Sequence, residues 1–342
     1  MNLTKASREL FSRAADERFE SFDALLSRCQ ERKFQATEHW QPSQGVRVEQ
    51  DAGQLLLRLD QAEDITLSLS DWSFSQLCKL CEVDKETVNK VTAETAALIF
   101  RDALPRSRKP FQVYAAHDTA LAVHGTAYSR LFDAEVLQAV REAAPDFTPP
   151  PPGIGGATGL YAGEQDMFAF GIDDTSWVEI GDERFAPGFF VWNSEVGRRS
   201  VGVQTFWFQH VCQNHIVWDA IEVVDLKRRH IGNIQEALDD VRAAIVQLTK
   251  KRDERRDSFV SGIKLAMQTP LGADAEQVTE ALRKQGIGPR LAAQAIELVP
   301  PWQSYSVFSI VDSLTRIAGR NHNAGDRLLL DQKAASLLSL AA

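Results

Sequence analysis

One stretch limits what this chain can fold into. Residues 188 to 218, GFFVWNSEVGRRSVGVQTFWFQHVCQNHIVW, form its densest run of aromatic and β-branched residues. Such residues suit a pleated, half-buried surface. Phe189, Phe190, Val191 and Trp192 read as a short strand. Asn193-Ser194-Glu195-Val196-Gly197 then reads as a turn or bulge, because Asn and Gly tolerate positive φ and Ser and Asn bond their own backbone. Residues 200–217 read as one longer strand that bends partway. Alternation puts Val201, Val203, Thr205, Trp207, Gln209 and Val211 on one side of it. Gly202, Gln204, Phe206, Phe208, His210, Cys212 and Asn214 take the other.

The same alternation sorts the chemistry. Cys212 and His215 have the spacing of a zinc half-site, but residues three apart in a strand face opposite sides. No second Cys/His pair stands nearby, so a structural zinc site is not expected. His210, Cys212 and Asn214 do share a side. Two readings stay open: a buried thiol beside hydrogen-bonded His and Asn, or a polar site on one sheet face. The candidate polar site is Asn193, Glu195, His210, Cys212 and Asn214, with no metal and no cofactor expected.

Ahead of this stretch, residues 3–32 show helical spacing with a break near 16–21. His39, Trp40 and Pro42 read as loop. Segments 46–48 and 55–59 flank Asp51-Ala52-Gly53 as a hairpin, and Ile65, Leu67 and Leu69 alternate as a third strand or a lead-in to a helix. Ser70-Asp71 offers an N-cap for a helix through Cys81, and another helix starts near Asp84. Leu77, Cys78, Val83, Thr87 and Val88 fit helix-turn-helix spacing. Asp84 and Glu86 would repel phosphate there, so a plain helical hairpin is preferred. The C-x-x-C of Cys78 and Cys81 lies inside a helix and not at its start, which disfavours redox chemistry. Strands over 111–115 and 121–124 and a helix over 133–143 capped by Asp133 follow.

Pro149 to Pro152, followed by Gly153, Gly155 and Gly156, are the clearest punctuation in the chain. They suggest an N-terminal α+β region with a helical hairpin over 1–147 and a Pro/Gly-rich linker over 148–157. A β-β-β-α core with a long helix over 158–270 and a helical region over 271–342 complete the division. Ile234, Ala237, Leu238, Val241, Ile245 and Leu248 mark the long helix, which is expected to run to Pro270. Further helices are expected over 273–285, 289–298, 304–318 and 326–340. The fold class is α+β: a central antiparallel sheet with an N-terminal helical and hairpin region and C-terminal helices.

No apolar run approaches the ~20 residues of a membrane helix, and the charged N-terminus lacks a secretory apolar core. A cytoplasmic protein without a membrane partner is expected. Four scattered cysteines suit reduced thiols. The net charge of −9 argues against a generally basic nucleic-acid binder but leaves room for a local basic groove. Arg198-Arg199, Lys227-Arg228-Arg229-His230 and Lys250-Lys251-Arg252 are the basic clusters.

Several stretches together resemble the phage- and plasmid-borne family catalogued as domain of unknown function nine hundred thirty-two. They are Asp71-Trp72-x-Phe74-x-Gln76-Leu77-Cys78, Tyr128-Ser129-Arg130, and Thr158-Gly159-Leu160-Tyr161-Ala162 with Asp166-Met167-Phe168. The longest runs from Gly188 to Gly197 and on through Val211-Cys212-Gln213-Asn214-His215-Ile216-Val217-Trp218, with Arg229-His230 closing it. The likeness spans roughly residues 5 to 340. It implies a place in the DNA metabolism or defence evasion of mobile elements. The strand-strand-strand-helix order is also similar to the core of single-strand annealing recombinases, which bind the DNA backbone beside the sheet and assemble into rings.

The first functional expectation is therefore a non-enzymatic, homo-oligomeric protein that binds single-stranded DNA as an annealing or recombination accessory. Arg198, Arg199, Arg228, Arg229 and His230 would contact phosphates, and Trp192, Trp207 and Trp218 would stack on bases if exposed. The second is a metal-assisted hydrolase or nuclease using Asp166, Asp173, Glu195, His210, Cys212, Asn214 and His215. The third is an acidic anti-defence or scaffold protein that acts through a protein partner.

Overall fold

The computed structural model describes residues 17–60, 64–105, 109–151, 159–181, 183–211, 214–218, 226–228, 233–250, 252–320, 336–338 and 340–341. It is a mixed α+β fold built on two sheets. The first sheet has the order β1-β5-β6-β4-β3-β2, in which β4 and β6 pair in parallel. Its strands are β1 (Ala36–Pro42), β2 (Val46–Asp51), β3 (Gln54–Leu59), β4 (Ile65–Leu69), β5 (Pro110–Ala116) and β6 (Thr119–Gly125). The expected hairpin is β2–β3, and its turn residues Ala52 and Gly53 both take positive φ (47° and 83°).

Three helices cover one face of this sheet: α2 (Asp71–Leu80), α3 (Lys85–Val88) and α4 (Ala93–Ala103), which follow α1 (Phe22–Gln35) in the chain. Ser70 caps α2 by accepting the Ser73 N–H at 3.1 Å. Leu77, Cys78, Cys81, Val88, Ala96 and Phe100 bury themselves against Leu57, Leu67 and Val113. The would-be recognition helix, α3, is a single turn and too short to read a major groove.

The second sheet has the order β12-β11-β10-β8-β7, with β9 beside β10 and β13 beside β11. Its strands are β7 (Leu160–Ala162), β8 (Met167–Ile172), β9 (Val178–Ile180), β10 (Glu183–Asn193), β11 (Val201–Val211), β12 (Asn214–Trp218) and β13 (Leu226–Arg228). Antiparallel β8, β10 and β11 form the three-stranded core, and α6 (Ile234–Lys250) packs across it. Ala237, Leu238, Val241, Ala244 and Ile245 recur at helical spacing and meet Val191, Val201 and Val203. The far end of that face, at Phe185 and Trp207, is covered by α7 (Arg252–Gln268), α8 (Ala275–Lys284), α9 (Pro289–Leu298) and α10 (Val307–Arg320). The opposite face is an aromatic layer of Tyr161, Phe168, Phe170, Phe190, Trp192 and Phe208.

Three expectations change. His39, Trp40 and Pro42 lie in β1, not in a loop. The strand sits at the sheet edge, where a polar sequence and a proline are tolerated because one side needs no ladder. Residues 200–217 do not form one bent strand but the hairpin β11–β12. The Pro/Gly segment does not divide two cores. α1 and α5 (Asp133–Ala143) both precede it, yet Phe22, Leu25, Cys29, Val136, Leu137 and Val140 share one core with β8 and β10. Residues 152–157 of that linker, the first part (3–16) of the helical stretch over 3–32 and most of the expected helix over 326–340 lie outside the described residues. So does residue 251, between α6 and α7.

Candidate functional site

The end of β10 runs into the turn that joins the two sheets. Asn193, Ser194 and Glu195 are each no more than 1% exposed. Around them gather Arg32 from α1, Tyr114 from β5, Arg130, and Asp133 at the start of α5. Glu195 Oε1 accepts the Asp133 backbone N–H at 2.9 Å, and its Oε2 accepts the Tyr114 hydroxyl at 3.0 Å. Arg32 Nη2 lies 3.5 Å from the same Oε2. Asn193 Nδ2 donates to Asp133 Oδ1 and to the Leu131 carbonyl, both at 2.8 Å. Asp133 is thus the first residue of α5 and not its cap; Phe132 holds the cap position.

Arg130 is the second hub. Its Nε donates to Glu38 at 2.6 Å, its Nη2 to the Gln112 side chain at 2.5 Å, and its Nη1 to the Glu195 carbonyl. The guanidinium lies 3.6 Å from the Tyr114 ring centroid, a cation–π contact. Burial, and then the nearby Glu195, push the Asp133 carboxyl well above the usual carboxylate range. Burial and Asp133 likewise push up the Cys29 thiol. Burial alone would lower Arg32, but Glu195 and Asp133 outweigh it and hold the guanidinium charged.

The turn that follows is clamped. Ser194 Oγ donates to the Gln165 carbonyl at 2.6 Å and accepts the Arg198 N–H at 3.0 Å. Tyr128 donates to the Glu195 carbonyl at 2.9 Å, and Trp72 Nε1 to the Val196 carbonyl at 2.7 Å. Gly197 has φ +72°, and a Cβ there would stand 2.8 Å from His124 and 2.9 Å from Tyr128. Only glycine fits both the conformation and the space.

Of the expected polar site, Asn193 and Glu195 come together, in a network closed to any substrate in this conformation. The register sets His210 opposite His215 and Asn214 opposite Val211. His210 and Asn214 therefore hold register positions of opposite parity and are not the same-side pair that one continuous strand would make. Cys212 lies outside the described residues. Asp166 and Asp173 stand at opposite ends of β8, six residues long or roughly 20 Å apart. Asp166 binds Arg199, and Asp173 accepts the Thr175 N–H at 3.1 Å and hydroxyl at 2.6 Å. They do not form one site. Among the described residues no three His, Cys, Asp or Glu side chains gather as metal ligands.

The basic set divides as well. Arg199 is 8% exposed and donates to Asp166 at 2.5 Å. Arg198 is 38% exposed and lies 4.0 Å from the same carboxylate. Arg228 pairs through its backbone with Val201, while Arg229 and His230 lie outside the described residues. Trp192 and Trp207 are buried at 0% and 2% and cannot stack on bases. Trp207 stacks instead on Phe259, with centroids 4.2 Å apart. No described helix is long and apolar enough to cross a membrane. The chain matches no family profile, no curated protein and no solved structure.

Arg32, Tyr114, Arg130 and Asp133 were not expected in the site. The Tyr128-Ser129-Arg130 run was one signal, since a polar triplet stands directly ahead of an amphipathic helix. Arg32 carries none, because it sits on a helix otherwise rich in exposed charge.

Proposed function

We propose that this chain is a mobile-element protein of the phage- and plasmid-borne family it resembles, and that it binds single-stranded nucleic acid as an annealing or recombination accessory. One observation carries the reading. The pairing of β11 with β13 sets Val201 against Arg228 and Gly202 against Lys227. Two basic runs distant in sequence, 198–199 and 227–228, thereby share one sheet border. Arg198 and Arg199 both reach the carboxylate of Asp166. A border of this kind suits a sequence-independent phosphate track, whose affinity falls with salt.

Gel shift with single- and double-stranded oligonucleotides at two salt concentrations tests it. Wild type is compared with Arg198→Glu, Arg228→Glu and the double variant. Single-strand binding that weakens with salt, and weakens further in the variants, is the expected result. No binding at low salt rejects the reading.

A further inference from the structure

A groove of about 520 Å³ opens between α2 and the open end of the β5–β6 hairpin, beside the turn that Trp72 bonds. Trp72, Gln76, Lys79, Phe111, His124 and Gly197 line it. Its size lies within the range of small-ligand sites, about 300–1,000 Å³. The rings are held in place before any ligand arrives. Trp72 is fixed by its bond to the Val196 carbonyl, and His124 stacks on Tyr128 with centroids 3.6 Å apart and planes 5° apart. Gln76 is fixed by accepting the Val123 N–H at 2.8 Å.

The rim carries a cation. Lys79 is exposed and makes no ion pair among the described residues. A fixed, part-buried indole beside a cation matches a planar ring that carries negative charge alongside. We propose that the groove takes one unstacked base of a single-stranded nucleic acid, with an adjoining phosphate on Lys79. This rests on the strand-binding reading and adds the place where a base is held. Part-buried Trp72 supplies the stacking surface that buried Trp192 and Trp207 cannot.

The test is fluorescence anisotropy with a labelled oligothymidine and an abasic strand of equal length. Gly125 lines the groove, and a Cβ added there meets nothing within 4 Å. Gly125→Phe therefore fills the groove without displacing the fold, which a thermal melt checks. Wild type is expected to prefer the intact strand about tenfold. Gly125→Phe abolishes the preference and leaves abasic binding unchanged, and Lys79→Ala weakens both strands. Equal affinity of wild type for both strands, or a preference that survives Gly125→Phe, overturns the base site and leaves strand binding standing. Failure of both strands to bind overturns both. Should Gly125→Phe melt early, Ser75→Trp, on the exposed side of α2 at the same groove, replaces it under the same criteria.

Discussion

Glu195 accepts the backbone N–H of Asp133, so the turn after β10 is bonded directly to the first turn of α5. The carboxylate also meets Arg32 and Tyr114, and one side chain ties both sheets and two helices. Removing one member of a buried charged pair leaves its partner uncompensated. Glu195→Ala is expected to destabilise the fold by about 3 kcal/mol in urea denaturation. At about pH 4, Asp133→Asn keeps the shape and is expected to stay within about 1 kcal/mol of wild type. Equal losses for the two would contradict this division of roles.

Asp133 also sets a pH dependence. Its folded-state carboxyl is raised above the unfolded value of 3.8, so the folded state holds the proton more tightly. Its contribution is full below the unfolded value and is lost as pH rises through the folded one. Denaturation of wild type and Asp133→Asn across pH isolates the effect. The difference should move in favour of the variant as pH rises from about 4. A difference independent of pH would show that the carboxyl is not perturbed.

Arg198 and Arg199 are neighbours with different duties. Arg199 is buried on Asp166, and Arg199→Ala is expected to lower stability by about 3 kcal/mol. Arg198 is part-exposed, and Arg198→Ala should stay within about 0.5 kcal/mol of wild type. Thermal or urea melts of the two single variants decide this, and show why charge reversal at Arg199 is a poor probe of binding.

Burial pushes the Cys81 thiol up to about 12 and also raises Cys78 and Cys29. Thiolate is the reactive form. All three should react slowly with a disulfide reagent at pH 8 in the native protein and at full rate in denaturant. Rapid native labelling at Cys78 or Cys81 would revive a redox role for the pair.

Ala52 holds φ 47° at the β2–β3 turn, beside Gly53. Asn accepts this conformation more readily than Ala. Ala52→Asn is expected to stabilise by about 0.5 kcal/mol, read as a small upward shift in the melt. A loss would mean that the turn depends on something besides its backbone angles.

Much of the fold is legible from local signals alone. The α9 segment starts with Pro289 and runs to Leu298, α5 spans 133–143, and the Asp51-Ala52-Gly53 turn marks its hairpin. Caps, prolines and helical spacing are written into neighbouring residues, so a short window suffices. The strand-strand-strand-helix order was legible for the same reason, because aromatic and β-branched runs do not form comfortable helices.

Tertiary structure alone decided the rest. The polar sequence of β1 becomes a strand only because β5 offers it a ladder. The split of residues 200–217 into two strands depends on the register that β10 imposes on β11. Trp192 and Trp207, which read as candidate stacking surfaces, are core residues of the second sheet. Arg32, Tyr114, Arg130, Asp133 and Glu195 come from four stretches of the chain, and Arg32, Tyr114 and Asp133 titrate away from their ordinary ranges only when burial removes water and brings charges within a few ångströms. Sequence determines which groups can carry charge; packing determines which of them must share it.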